Sequence, residues 1–383
     1  MTVWDTLVGQ KPVITALRDA VAGRGMTHAW LFTGPPGSGR SNAAVAFAAG
    51  LQCEQGSGCG TCHACHTVLA GSHADVRVVR TQKLSIGVDE VRELVRRAAL
   101  APVGPGYQVL VVEDADRLTD QAFNALLKGL EEPNDRTVWL LCAPTVEDVL
   151  PTIRSRCRLV TLATPTAAQV TEFLTRDGAV GTALAAHAAR ASQGHIGRAK
   201  ALAHDEATRN RRDEIVKMPV RLTSLRAAMT MAGNLVEVTK EEAAAITGEL
   251  DAHEKADLDA QFGVVERGRR PREYGPALKA MEQAQKTRAK RRHLDVIDRG
   301  LMDLISVYRD AIACSVGAPG DLVNEERKSE IEQLARALPA EEHLRRIDAV
   351  LGAREQMLEF NVPPALALEA MMVTLQLPEG ALR

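Results

Sequence analysis

The sequence predicts an α/β domain with a parallel sheet and an inserted cysteine module, followed by a small helical domain and an all-helical C-terminal domain. A Gly-rich loop at residues 34–41 lies between a short apolar run and an Ala-rich stretch, which indicates strand, loop and helix. Further apolar runs alternate with helical stretches up to about residue 165, as in a parallel sheet covered on both faces. Beyond that point the chain reads as helical.

Each predicted strand is a near-continuous apolar run. The four runs are residues 29–33, 75–79, 109–112 and 138–142, with helical stretches near 88–100 and 119–131. Thr119 can cap the second of these helices, and Pro133 ends it. These strands and helices make up the first predicted domain.

Changes of composition divide the chain into three predicted domains, residues 1–165, 166–212 and 213–383. The second is Ala-rich with four interrupting glycines, which suits a small helical bundle. The third contains strong helical segments at residues 277–315, 327–337, 340–358 and 363–376. Hydrophobic residues make up 45% of the chain but aromatic residues only 3%. We therefore expect cores of Ala, Leu and Val in closely packed helices.

Charge and hydropathy bound the class of protein. The formal net charge of −2 gives no overall attraction to nucleic acid, although residues 267–292 are locally basic. The first residues lack a basic segment followed by an apolar run, and no stretch of about 18 uninterrupted apolar residues occurs. These features predict a cytoplasmic protein with no membrane partner.

Four of the seven cysteines form the pattern Cys53-x5-Cys59-x2-Cys62-x2-Cys65. The cytosol keeps thiols reduced, so the cluster favours a metal site over disulfides. Four thiolates at these spacings suit a tetrahedral Zn²⁺, and a closed sulfur shell leaves no position for a reactive water. The pattern predicts a structural zinc module at about 53–65. An iron–sulfur centre and scattered free cysteines are the alternatives.

The Gly-rich loop reads Gly34-Pro35-Pro36-Gly37-Ser38-Gly39-Arg40-Ser41. Gly34, Gly37 and Gly39 let backbone N–H groups approach phosphate oxygens, and the hydroxyl of Ser41 suits Mg²⁺. Arg40 stands where such loops carry a lysine that reaches the β and γ phosphates, and a broad guanidinium does not replace a compact ammonium there. The loop can still hold ATP or ADP with Mg²⁺, but hydrolysis by this chain is expected to be weak or absent.

An acidic pair, Glu113-Asp114, ends the third strand, where ATPases of this kind hold magnesium and orient water. Compared with the common Asp-Glu order, the two acids are transposed. Each carboxylate is then displaced by about one methylene, which matters where ångström-scale errors cost catalysis. In a chain without a Gly-rich loop, an acidic pair at the end of a strand is usually just part of a solvated turn.

Two arginines are candidate phosphate ligands. Arg156, in Ser155-Arg156-Cys157, can stabilise charge on a transferring γ-phosphoryl across a subunit boundary. Arg198, in Gly194–Arg198, can reach a nucleotide from the second domain. The alternatives are a surface arginine cluster and a solvated helix residue.

These motifs together carry a resemblance. The segments concerned are Leu7–Gln10, Gly34–Ser41, the cysteine module, Asn124–Pro133 and Ser155–Cys157. They occur in the order seen in bacterial clamp-loader AAA+ subunits of DNA polymerase III, which roughly the first 200 residues resemble. Beyond them the resemblance rests on helical segments at 293–310 and 361–377.

The resemblance implies a subunit of a pentameric ring that opens a sliding clamp and loads it onto primed DNA. It implies an AAA+ domain, a helical lid and a C-terminal collar, with ATP bound mainly in gamma/tau sister subunits. Arg156 would be an arginine finger acting in trans. Implied partners are the gamma/tau and delta subunits and, through the complex, the clamp and primer–template DNA, in the bacterial replisome. Departures at Arg40, Glu113-Asp114 and Ala143-Pro144, where a polar sensor is usual, argue for a non-hydrolysing stator.

Two other functions stay open on the sequence. One is an active gamma/tau-type ATPase in which Arg40 still supports turnover. The other is a zinc-stabilised DNA-binding adaptor whose binding face would include Arg269, Arg270, Lys290 and Arg291. Few aromatic residues are present to stack on bases, and a charge run is more often a solvated helix face.

Overall fold

A computed structural model describes residues 2–81, 85–263, 271–318 and 320–376. The chain forms two compact units that divide between His204 and Asp205. The helix that follows this division spans Glu206–Val216, so the predicted boundary at 212/213 falls inside it. The division into three domains stays a prediction.

The first unit contains a five-stranded parallel sheet in the order β2-β3-β4-β1-β5. The strands are β1 (Ala29–Thr33), β2 (Val76–Val79), β3 (Gln108–Val112), β4 (Thr137–Ala143) and β5 (Arg158–Thr161). The predicted α/β class and its four strands are confirmed. The fifth strand was not predicted, because only Val160 of its four residues is buried and no apolar run marks it.

The described part of this unit also contains nine helices. They are α1 (Lys11–Val21), α2 (Arg40–Gln52), α3 (His63–Leu69), α4 (Val88–Ala98), α5 (Asp120–Glu131), α6 (Pro151–Arg154), α7 (Ala167–Thr175), α8 (Thr182–Ser192) and α9 (Ile196–His204). Short 3-10 helices lie at Val3–Thr6 and Ala115–Arg117. The Thr119 hydroxyl accepts a hydrogen bond from the Ala122 N–H at 3.3 Å, which confirms the predicted cap of α5.

Alternate residues of β1 point to opposite faces of the sheet. Trp30 and Phe32 pack with Phe47 of α2 on one face, and Leu31 packs with Trp139 on the other. All five side chains are fully buried, so both faces are covered. Helices α7 to α9 enclose a separate core made largely of alanine and leucine. The rich supply of Ala explains how so few aromatic residues suffice.

The second unit is entirely helical in its described part. Its helices are α10 (Glu206–Val216), α11 (Met218–Arg221), α12 (Leu225–Gln261), α13 (Tyr274–Ser315), α14 (Lys328–Ala337), α15 (Ala340–Leu358) and α16 (Pro364–Leu375). A 3-10 helix at Glu325–Arg327 precedes α14. The four strong helical segments predicted from the sequence match α13 to α16. Throughout the residues that the structure describes, we find no helix with both the length and the apolar content needed to span a membrane.

A buried polar network joins three segments of this unit. Arg212 of α10 donates from Nε to Asp303 of α13 at 3.1 Å and also donates to the Asn324 side chain. Asn324 in turn donates to Ser306 and to Asp310 at 3.0 and 2.9 Å. All five side chains are at least nine-tenths buried, so each polar group depends on its partners in the network.

His343 of α15 makes the stability of the second unit sensitive to mild acid. Its side chain is completely buried beside Tyr308. Burial lowers the pKa of His343, and the Arg346 guanidinium lowers this pKa further, while Glu342 acts weakly in the opposite direction. In the folded chain His343 therefore stays neutral at pH values, below about 6.5, at which the same side chain binds a proton in the unfolded chain.

We expect the free energy of unfolding to fall by up to about 1.4 kcal/mol per pH unit as the pH drops below about 6.5. Carboxylates with lowered pKa values, such as Asp213 and Glu254, act in the same direction only at lower pH. Burial also lowers the pKa of His293, so part of the slope will remain without His343. Urea unfolding of the chain at pH 7.5 and 5.5 should show a smaller difference for His343→Gln than for the unchanged chain. The control His253→Gln, at an exposed position beside Asp257, should show the same difference in stability between the two pH values as the unchanged chain. An unchanged difference in His343→Gln would contradict the role given to His343.

Candidate functional site

The Gly-rich loop leaves the carboxyl end of β1 and enters α2 at Arg40, as predicted. Gly34 has a φ of +152°, and a Cβ there would lie 2.7 Å from the Leu162 carbonyl oxygen. The Gly34 N–H also donates to the Pro144 carbonyl oxygen at 3.1 Å. The loop is thereby held between the ends of β4 and β5, and only glycine fits at its first position.

Arg40 is bound by the loop itself. Its Nη1 donates to the Gly34 carbonyl oxygen at 2.5 Å, and the side chain is half-buried. A lysine in an active loop keeps its ammonium hydrogens for phosphate oxygens. In this chain one N–H group of the Arg40 guanidinium is already hydrogen-bonded to the main chain of the loop.

The second predicted loop glycine packs against the start of α9. A Cβ at Gly37 would lie 2.3 Å from His195 Cγ and 2.6 Å from His195 Cα. The Arg198 N–H, in the first turn of α9, donates to His195 Nδ1 at 3.2 Å. The structure thus brings the segment that carries Arg198 to the Gly-rich loop, while Ser41 lies half-exposed in the first turn of α2.

The acids after β3 share the carboxyl edge of the sheet with the loop. Glu113 accepts from Arg80 Nε at 2.8 Å. Burial raises the pKa of Glu113 and that of Asp116. Burial also raises the pKa of the Cys142 thiol, where the carboxylates of Glu113, Asp114 and Asp116 act in the same direction and Arg40 opposes them. Three acids and the loop arginine therefore lie near enough to the end of β4 to act on Cys142, and Glu113 is engaged by Arg80, the residue that follows β2.

Arg156 lies between α6 and β5, and hydrogen bonds to neighbouring residues hold its guanidinium. Its Nη1 donates to the Thr152 carbonyl oxygen at 2.7 Å, and its Nη2 donates to Glu131 Oε1 at 2.7 Å. The Arg156 side chain is 37% exposed. Arg158, by contrast, donates to the Gly25 carbonyl and lies over the Trp30 ring, 4.8 Å from its centroid, so it serves the fold.

The four cysteines converge as the spacing predicts. The Sγ atoms of Cys53, Cys59, Cys62 and Cys65 all lie within 4.8 Å of one another. A tetrahedral zinc with bonds of about 2.3 Å requires sulfurs about 3.8 Å apart. Backbone N–H groups also point at the sulfurs, from Cys59 to Cys53 at 3.4 Å and from Cys62 to Cys59 at 3.3 Å. The donor set and its arrangement fit a metal such as zinc.

Two features prepare the module for a cation. Burial alone would raise the pKa of Cys53, but N–H donors from Cys59, Ser57 and Gln55 bring it down to about 6. The loop between the first two cysteines is also anchored, because the Trp4 Nε1–H donates to the Ser57 carbonyl oxygen at 2.9 Å. The module is therefore packed against the 3-10 helix at Val3–Thr6.

Two of the four basic residues predicted to form a nucleic-acid face contact neighbouring side chains in the second unit. Arg269 and Arg270 lie outside the described residues. Lys290 donates to Asn361 at 2.8 Å, and Arg291 lies 3.9 Å from Asp295. These contacts give no support to a free cationic surface at those two positions.

Three residues of the site were not singled out from the sequence. Glu131 lies inside the Asn124–Pro133 motif, and His195 lies beside Arg198, so their motifs could have marked them. Arg80 is one of several arginines near β2 and carries no distinguishing pattern. Its role depends on β2 and β3 being neighbours.

The sheet order, the loop between β1 and α2, the acids after β3 and the helices α7 to α9 define a P-loop domain of the AAA+ class. Two family models match the chain: "DNA polymerase III, delta subunit" over residues 9–166 and "DNA polymerase III, delta subunit, C terminal" over residues 289–376. The chain belongs to the clamp-loader family of DNA polymerase III subunits.

Curated relatives include both kinds of clamp-loader subunit. The delta-prime subunit of Escherichia coli K12 is 39% identical over 186 residues, which cover 47% of this chain and 55% of that protein. The gamma/tau subunit of Mycobacterium tuberculosis H37Rv is 40% identical over 154 residues, or 39% of this chain and 27% of that protein. The matches thus span about half of the delta-prime relative and about a quarter of the gamma/tau relative. The chain is similar to delta-prime and to gamma/tau subunits, both of the clamp-loader family that the order of its motifs predicts.

Among solved structures, a gamma subunit-related protein from Thermotoga maritima covers 95% of this chain and 98% of its own, at 15% identity and a TM-score of 0.40.

Proposed function

We propose that this chain is a non-hydrolysing, delta-prime-type stator of the DNA polymerase III clamp loader, which supports ATP-driven loading of the sliding clamp onto primed DNA. The observation that carries the proposal is the hydrogen bond from Arg40 to the Gly34 carbonyl oxygen. A guanidinium anchored to its own loop is poorly placed to follow a phosphoryl group through a transition state.

The acidic pair supports the same proposal. Glu113 accepts a hydrogen bond from Arg80 at 2.8 Å, so its carboxylate is already paired with a cation inside the chain. Cys142, Ala143 and Pro144 offer no polar side chain of the kind that positions water after β4. We infer that a nucleotide, ATP or ADP with Mg²⁺, would contact the backbone of the loop, Ser41 and Arg198 without being hydrolysed efficiently.

Arg156 is the proposed arginine finger for the ATP of a neighbouring gamma/tau subunit. It lies at the surface, where a guanidinium can stabilise charge on a phosphoryl group that a neighbouring subunit binds. The delta subunit, the clamp and primer–template DNA are the further proposed partners. A structural zinc in the cysteine module and a cytoplasmic location complete the proposal.

The test is the ATPase rate of the chain alone and in the assembled complex. We expect the isolated chain to turn over ATP far more slowly than an isolated gamma/tau subunit. In the complex, Arg156→Ala should lower DNA-stimulated hydrolysis several-fold while assembly stays intact, because only the site that faces this chain loses its finger. Arg154→Ala, an exposed neighbouring arginine, is the matched control and should leave the rate unchanged.

A second candidate is an active gamma/tau-type ATPase, which the 40% identity to the gamma/tau subunit favours. It requires rapid ATP turnover by the purified chain without partners. That result would refute the stator proposal.

A further inference from the structure

Glu131 occupies the last position of α5 and faces the segment between α6 and β5. Its carboxylate accepts from Arg156 Nη2 at 2.7 Å, a distance typical of a charge-assisted hydrogen bond. The two residues are 25 positions apart in the sequence. The contact therefore depends on the packing of α5 against α6, whose Ile153 is fully buried.

The other contacts of Arg156 come from the segment that leads up to it. Nη1 donates to the Thr152 carbonyl oxygen at 2.7 Å and to the Ser155 hydroxyl oxygen at 3.4 Å. These acceptors and Glu131 hold different nitrogens, so together they fix both the direction and the rotation of the planar guanidinium. Within the described part of the chain, these contacts leave Nε–H and one hydrogen of Nη2 to meet a phosphate.

We propose that Glu131 is the positioning residue of the Arg156 finger. This inference rests on the proposed function of Arg156 and extends it. A long arginine side chain at the surface samples many rotamers, and a finger that must be ordered at each catalytic cycle contributes less to the rate. A carboxylate that accepts one edge of the guanidinium orders it before the neighbouring subunit arrives, and it does so without touching the reacting phosphate.

If Glu131 inhibited the finger, removing its carboxylate would change the hydrolysis rate in the opposite direction. If the carboxylate held Arg156 away from the neighbouring site, breaking the pair would release the finger and raise the rate. A positioning role predicts a fall. The sign of the change therefore separates the two roles.

The experiment measures DNA-stimulated ATP hydrolysis by the reconstituted complex that contains this chain as Glu131→Ala, Glu131→Gln or the unchanged protein. We expect Glu131→Ala to lower kcat by roughly three- to ten-fold with KM for ATP changed by less than about two-fold. Glu131→Gln keeps one oxygen acceptor and should retain an intermediate kcat. Glu132→Gln, the exposed neighbour at the end of α5, is the control and should match the unchanged chain.

A double-mutant cycle with Arg156→Ala tests whether the two residues act together. Glu131→Ala should cause no further loss once Arg156 is absent. A further loss of similar size, a rise in kcat, or no change in the single variant would overturn the positioning role while leaving the finger in place. If Arg156→Ala alone leaves hydrolysis unchanged, the finger assignment fails, and the positioning role fails with it. Gel filtration and thermal unfolding of each variant establish that assembly and folding are preserved.

Discussion

Cys62→Ser is expected to weaken zinc binding by about a hundred-fold or more, so that the variant loses its zinc to a competing chelator, and to loosen the cysteine module. Four thiolates that share an apparent binding free energy of about 10–16 kcal/mol contribute roughly 3–4 kcal/mol each, so one lost ligand weakens binding by about a hundred-fold or more. Cys62 is also the N-cap of α3 and accepts the Cys65 N–H at 3.4 Å. The substitution therefore removes a ligand next to the helix that it caps.

Zinc content and tryptophan fluorescence provide the measurement. The Trp4 indole is hydrogen-bonded to Ser57, which lies in the cysteine module, whereas Trp30 and Trp139 lie in the sheet. Chelation of the purified chain and the Cys62→Ser substitution should release about one zinc per chain and change the Trp4 emission in the same way. Cys314→Ser, outside the cluster and in the second unit, should keep both signals. A chain that retains its zinc after loss of Cys62 would contradict the four-thiolate site.

Arg212→Ala is expected to destabilise the second unit by about 3–5 kcal/mol. The substitution leaves the Asp303 carboxylate, which is 4% exposed, without its cation in the protein interior. It also removes a donor to Asn324, whose own amide is committed to Ser306 and Asp310. A loss of this size is a large part of the stability of an ordinary domain.

Hydrogen exchange followed by mass spectrometry can localise the effect. Peptides from α10 and from the 301–311 part of α13 should lose protection in Arg212→Ala, while peptides from the sheet should not change. Arg226→Ala, an exposed arginine at the start of α12, is the matched control. Replacing Arg212 and Asp303 together by Met and Leu should recover much of the loss, because neither member of the buried ion pair is then left charged without the other. Equal protection in the single variant and the control would show that the network adds little stability.

Features with local patterns could be predicted from the sequence. The Gly-rich loop, the cysteine spacing and the apolar runs of β1 to β4 each occupy a few consecutive residues, and the structure has them where expected. The strand β5 could not be found in this way, because it lies at the sheet edge with one buried residue. The sequence also does not mark His204 as the end of the first unit, since α10 reads as polar and contributes only a few residues, among them Ile215 and Val216, to the core of the second unit.

The contacts that bear most on function could not be predicted. The bonds from Arg40 to Gly34, from Arg80 to Glu113 and from Arg156 to Glu131 depend on side-chain rotamers and on which strands are neighbours. The approach of His195 to Gly37 requires α9 to fold back over the loop. Sequence patterns identified Arg40, Glu113 and Arg156 as candidates, and only three-dimensional packing provides their partners.

The order of the strands also determines when the nucleotide-binding edge can form as the chain is synthesised. β1 has β4 on one side and β5 on the other, so both of its neighbours emerge from the ribosome more than a hundred residues after it. At roughly 5–20 residues per second, the strand that leads into Gly34 waits about 5–20 s for its first pairing partner. Its largely apolar segment must be shielded during that interval, and factors that bind nascent chains are suited to that task.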